Sequence, residues 1–259
     1  MPSGWWSALR GRLHGGRAIP EDLWQQALHA APLVAALDAA RLERLRGLCG
    51  RFLAHKRFSA VAGATLDDLR CLLIAQQACL PALQSGFAAL RGWREVIVYP
   101  GEFRVRRQHE DADTGVVSEG DEDLIGEAWE RGPVVLSWAD VAQDLAHPHE
   151  GFNVVVHEIA HKLDRLDGAM DGVPVLPPAL PRRQWIDTFQ RAFDALKQQV
   201  DRGRRTAIDP YAAESPEEFF AVASELHFSQ PALLARQMPG VARLLAALYG
   251  PPPWPQAGG

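Results

Sequence analysis

Gly151-Phe-Asn-Val-Val-Val-His157-Glu158-Ile-Ala-His161-Lys-Leu-Asp164 is the stretch on which the reading of the chain turns. Val154 to Val156, Ile159, Ala160 and Leu163 give it the apolar periodicity of a helix. Histidines four apart on a helix stand one turn apart and about 40° around the axis, so both imidazoles can face one ion. Glu158 lies about 100° further round and flanks that ion. This is the H-E-x-x-H arrangement of zinc peptidases, in which a zinc-activated water is deprotonated by the glutamate. The competing reading is an amphipathic helix with solvated histidines. The apolar setting, just after a predicted strand, favours the metal.

A catalytic zinc needs a third protein ligand and one open position, whereas a structural zinc closes its shell with four side chains. Asp167 is six residues beyond His161, but the residue three beyond His161 is Asp164 rather than the glycine that would turn the chain back. Glu218 and Glu225 stand seven apart on the predicted helix Ser215-Pro-Glu-Glu218-Phe-Phe-Ala-Val-Ala-Ser-Glu225, so both point to one face. Ser215-Pro-Glu-Glu218 is also a capping box, which would fold the Glu218 carboxylate back onto its own helix. Spacing alone leaves these three acids open. Tyr211, seven before Glu218, either reaches the open side of the metal as an oxyanion donor or packs as a turn tyrosine. Asp164 is placed to accept the second ring N–H of a ligand histidine, and Asn153 to cap the helix.

Upstream, residues 1–94 read as a helical region rich in Ala, Leu and Arg. Pro20-Glu-Asp opens one helix, Leu33 to Leu48 run through a second segment, and Leu66 to Ile74 mark a third that Pro81 ends. From Glu95 the pattern becomes strand-like. Val96-Ile-Val-Tyr99, Phe103-Arg-Val-Arg, Gly115-Val-Val, Leu124-Ile125 and Gly132-Pro-Val-Val-Leu-Ser-Trp138 suggest a small, mixed or antiparallel sheet. Helices follow near 153–166, at Trp185 to Val200, at 216–227 and near 231–249, and the Pro-rich tail 251–259 reads as flexible. The expected class is therefore α+β, mostly helical. Residues 1–94 would pack on a catalytic region at 95–250, as parts of one unit.

The 259 residues carry a net charge of −5, which argues against a nucleic-acid partner, and no stretch has the length and apolarity of a membrane span. Met1 to Arg10 lacks a signal-peptide core, and Trp5 and Trp6 are expected to pack on the body rather than on a membrane. Cys49, Cys71 and Cys79 have no paired spacing and read as buried thiols in a reducing compartment, which points to the cytoplasm.

Taken together, Gly132 to Trp138, Gly151 to Asp164 and Tyr211-Ala-Ala-Glu-Ser-Pro-Glu-Glu218-Phe-Phe-Ala-Val resemble the Mlc titration factor A family, zincin-type metallopeptidases. Val98-Tyr-Pro100, Cys79-Leu-Pro81 and Phe228-Ser-Gln-Pro231 extend the resemblance over roughly residues 20–250. It implies a zincin-like fold and a gluzincin site with one Zn2+ per chain. His157, His161 and Glu218 match the ligands, Glu158 the base and Tyr211 the transition-state tyrosine; Glu225 falls to a supporting or surface role. The Tyr-to-Glu spacing is similar to that of the anthrax lethal factor protease domain. The resemblance further implies a cytoplasmic, aminopeptidase-like enzyme acting on short peptides. It also suggests a possible partner, a glucose repressor of the Mlc type. The alternative is a weakly catalytic binding protein that sequesters such a regulator.

Overall fold

The computed structural model describes residues 18–101 and 132–254 of the chain. Acidic residues start the first helices. Glu21 and Asp22 occupy the first turn of α1 (Glu21–Ala30), and α2 (Pro32–Ala35) is a single turn opened by proline. Asp38 caps α3 (Ala39–His55) by accepting the Arg41 amide at 2.9 Å, and Asp67 caps α4 (Asp68–Cys79) by accepting that of Arg70 at 2.7 Å. Proline ends α4 as expected: the chain tightens into a 3₁₀ turn at Leu80–Ala82 that contains Pro81.

Three short strands form the sheet: β1 (Arg57–Ala60), β2 (Glu95–Tyr99) and β3 (Val134–Ser137), in the order β1-β2-β3. Both pairings are parallel, with Arg57 opposite Glu95 and Val96 opposite Val134. This corrects the mixed or antiparallel sheet expected from sequence. Parallel neighbours need a crossover of a dozen residues or more rather than a tight turn. The β1–β2 connection, which carries α4, has that length. β1 itself escaped the sequence reading. Its Arg-Phe-Ser-Ala is exposed at both ends and lacks an apolar alternation. The strand candidates at Phe103, Gly115 and Leu124, like Trp5, Trp6 and residues 255–259, lie outside the described residues.

The rest is helical: α5 (Trp138–Ala146), α6 (Val154–Asp164), α7 (Arg182–Asp201), α8 (Pro216–Ser229), α9 (Pro231–Gln237) and α10 (Pro239–Tyr249). The last two were expected as one helix; Pro239 starts a new one after Met238. Two helices are buried on nearly every side, α4 from Cys71 to Cys79 and α8 from Phe219 to Ser229, as their apolar circumference requires. Both pack on α6. The stacked rings of Trp185 and Phe189, 4.2 Å apart, meet Phe219 and Phe220 and fasten α7 to α8. Cys49, Cys71 and Cys79 are free thiols in the interior. No helix among the described residues is long and apolar enough to cross a membrane.

Candidate metal centre

Asn153 opens α6 as expected, its Oδ1 accepting the Val156 amide at 2.9 Å. Val155, Val156, Ile159, Ala160 and Leu163 bury the helix in the core, and the same face carries His157 inward, only 1% exposed. One turn on, His161 brings its ring centroid to 4.7 Å from that of His157, and the two Nε2 atoms lie 3.0 Å apart.

The third group comes from the first turn of α8. Glu218 Oε2 stands 3.1 Å from His157 Nε2, and Oε1 stands 3.4 Å from His161 Nε2. The capping question resolves in an unexpected way. Ser215 does cap α8, its Oγ accepting the Glu218 amide at 3.4 Å. The Glu218 side chain nevertheless extends to the imidazoles, so only the serine half of the capping box is made. Burial raises the Glu218 carboxyl, but the two imidazoles overcome that and hold it well below the usual carboxylate range.

Of the other acids weighed, Asp167 lies in the 3₁₀ turn Arg165–Asp167 and faces Arg182 at 3.4 Å, away from the cluster. Asp164 does not meet a ligand ring. Its Oδ2 accepts the Gly172 amide at 2.9 Å, and burial pushes its carboxyl up to about 6. The role foreseen for it falls instead to Glu225, whose Oε1 is 2.6 Å from His157 Nδ1. Glu158 is half-buried on α6, one turn before Lys162. Burial draws the Lys162 ammonium down while the Glu158 charge holds it up, and Lys162 Nζ donates to Gly132 O at 2.9 Å. Tyr211 sits in the 3₁₀ turn Pro210–Ala213, fixed by Asp209 Oδ1 accepting its amide at 2.9 Å, with its ring centroid 6.5 Å from that of His157.

His157 Nε2, His161 Nε2 and a Glu218 oxygen fit a metal ion. Every ligand atom of the three lies within 4.8 Å of the others. Adjacent donors in a tetrahedral zinc shell are separated by roughly 3.3–3.6 Å, given bonds of about 2.0–2.2 Å. The two Nε2 atoms, 3.0 Å apart, and Glu218 Oε2, 3.1 Å from His157 Nε2, come within a few tenths of an ångström of that, while the other carboxylate oxygen, Oε1, stands 3.4 Å from His161 Nε2. Glu218 Oε2 is buried and has no hydrogen-bond partner among the described residues. Two imidazole nitrogens and a carboxylate oxygen converging in this way are a donor set that a divalent cation can bind together.

The sequence model of the family described as glucose-regulated metallo-peptidase M90 matches residues 5–250. The chain belongs to this family. Its relatives include proteins named Mlc titration factor A. That of Pectobacterium atrosepticum is 39% identical over 229 residues, which cover 87% of this chain and 84% of the relative. That of Salmonella arizonae is 39% identical over 230 residues, covering 88% and 90%. In Escherichia fergusonii the identity is 37% over 233 residues, covering 89% and 86%. Membership in M90 places the chain among metallopeptidases, and the histidine–histidine–glutamate cluster is the candidate metal site found among the described residues.

Proposed function

We propose that this chain is a zinc-dependent metallopeptidase with aminopeptidase-like action on short peptides. The observation that carries the proposal is the convergence of His157, His161 and Glu218 inside a fold of the M90 family. Zinc, held there, supplies an electrophile that polarises a carbonyl oxygen and acidifies water. Glu158, which shares the helix with both histidines but points beside them, takes the proton of the attacking water and returns it to the amine that leaves. The Tyr211 hydroxyl donates to the oxyanion that develops on the scissile carbonyl. Its support is the short distance between the Tyr211 and His157 rings. β3 lies at an edge of the sheet among the described residues, and an extended peptide paired with it would run past the site.

The test is hydrolysis of amino-acid anilides by the zinc-loaded protein. Glu158→Gln is expected to retain zinc and to lose turnover by about 10²–10⁴-fold, the usual worth of a general base. Turnover at the wild-type rate in that variant would overturn the assignment.

A second reading draws on the name of the relatives, titration factors for Mlc. On that reading the chain binds a repressor of the Mlc type in the cytoplasm, and hydrolysis is secondary. Glu158→Gln separates the two, since a sequestering protein keeps its partner when turnover is gone.

A further inference from the structure

His157 is gripped from both sides by one helix. Glu218 and Glu225 stand two turns apart on α8, and the first faces Nε2 at 3.1 Å while the second faces Nδ1 at 2.6 Å. Glu225 is 2% exposed, and its other oxygen accepts the backbone amide of Asn153 at 2.6 Å. Asn153 caps the helix that carries His157, and its side-chain amide donates to Gln77 Oε1 on α4 at 2.7 Å. A chain of buried contacts therefore runs from α4 through the start of α6 and Glu225 to the ring of His157.

We infer that Glu225 is a positioning residue, which fixes His157 as the Nδ1–H tautomer and so leaves the Nε2 electron pair facing His161 and Glu218. The inference rests on the metal site proposed above. Its logic lies in the Asn153 amide, which can only donate. An ionised carboxylate can only accept, so Glu225 takes one hydrogen bond from Asn153 and a second from His157 Nδ1. That fixes a proton on Nδ1, and in the neutral ring the lone pair is then on Nε2, the form in which an imidazole binds metal through Nε2. The i, i+7 spacing of the two glutamates lets one helix face supply both the group across the metal site and the group behind the ring.

An amide at position 225 separates this role from packing. In Glu225→Gln, size and shape are kept. The oxygen must still face the Asn153 N–H, because two donors would otherwise meet. The NH2 then faces His157 Nδ1 and donates to it, which moves the ring proton to Nε2, onto the metal-facing nitrogen. The experiment is ¹⁵N NMR of the full chain with labelled histidine, metal-free at pH 8, together with a zinc competition titration against a chromophoric chelator. In the wild type, His157 is expected to show a protonated Nδ1 and an unprotonated Nε2. In Glu225→Gln the two nitrogens exchange signatures, and zinc affinity falls about 10–100-fold. Wild-type tautomer or wild-type affinity in that variant overturns the inference, as does an Nε2–H ring in the wild type itself, a result that needs no variant to fold. Failure of the wild-type chain to bind zinc would instead overturn the metal site, which the tautomer measurement does not depend on.

Discussion

At the scale of single residues, the interior of α8 holds a second histidine with the opposite task. His227 is 2% exposed, sits 4.9 Å from the ring of Phe228 and 5.6 Å from that of Tyr249, and has no hydrogen-bond partner at Nε2 among the described residues. Burial pushes its imidazole down from 6.5 to about 4, against a smaller upward pull from the Gly250 backbone. Between those two values the unfolded chain binds a proton that the folded chain refuses. The stability held above pH 6.5 is therefore lost as pH falls toward 4. The gap corresponds to about 3 kcal/mol. His227→Leu removes the titration while keeping an apolar side chain of similar size. Urea unfolding at pH 7.5 and at pH 4 is expected to show the wild type losing about 3 kcal/mol relative to this variant. Parallel pH profiles would mean that the ring is solvated on its unpartnered side.

At the scale of elements, three helices meet at one glycine in the segment after the metal helix. The Gly172 amide donates to Asp164 of α6 at 2.9 Å, and its carbonyl accepts from Trp185 Nε1 of α7 at 2.9 Å. A Cβ placed there would lie 2.6 Å from the Pro216 carbonyl oxygen at the start of α8, and φ is +76°. The first turn of α8 also carries Glu218, so a shift of that turn would move the carboxylate relative to the imidazoles. Gly172→Ala is expected to destabilise the fold by about 2 kcal/mol or more, from the left-handed backbone and the clash together. It should also weaken zinc binding, because Pro216 can relieve the clash only by moving the turn. Urea midpoints and the chelator competition read the two effects; a stability loss with unchanged zinc affinity would show that the turn carrying Glu218 is held by something else. None of this was legible in the sequence, where Gly172 is one glycine among 22. What was legible rests on local periodicity. The four-residue histidine spacing and the apolar run around it locate α6, Asn153 reads as its cap, and Pro81 as the end of α4. The direction of the sheet was not, because Val96 to Tyr99 and Val134 to Ser137 look the same whether their neighbours run parallel or antiparallel. Glu218 lay in between. Spacing left it competing with its own capping box, the family resemblance favoured it as a ligand, and only the packing of α8 on α6 brings its carboxylate to both imidazoles.

At the scale of the whole molecule, the groups that would bind zinc come from two helices that the core already holds together. α6 is lodged between α4 and α8, and Phe52, Ile74, Ile159, Trp185 and Phe220 are all fully enclosed. A core of this extent is expected to fold without the ion, unlike a zinc finger, where the metal supplies the folding energy. The three groups would take up the ion at a place already built, with the two imidazole nitrogens 3.0 Å apart beside the Glu218 carboxylate. Binding adds to the stability of the folded state alone. With free zinc at about 1,000 times its Kd the gain is about 4 kcal/mol, which in a chain of this size raises Tm by about 10 °C. Calorimetry of the chelated and zinc-loaded protein is expected to show that rise, while far-UV circular dichroism at 25 °C stays the same in both. The double variant His157→Ala/His161→Ala should melt at one temperature with or without zinc. If chelation instead unfolds the protein at 25 °C, the ion is a structural one, and a peptidase built on an open coordination position is the wrong account of the site.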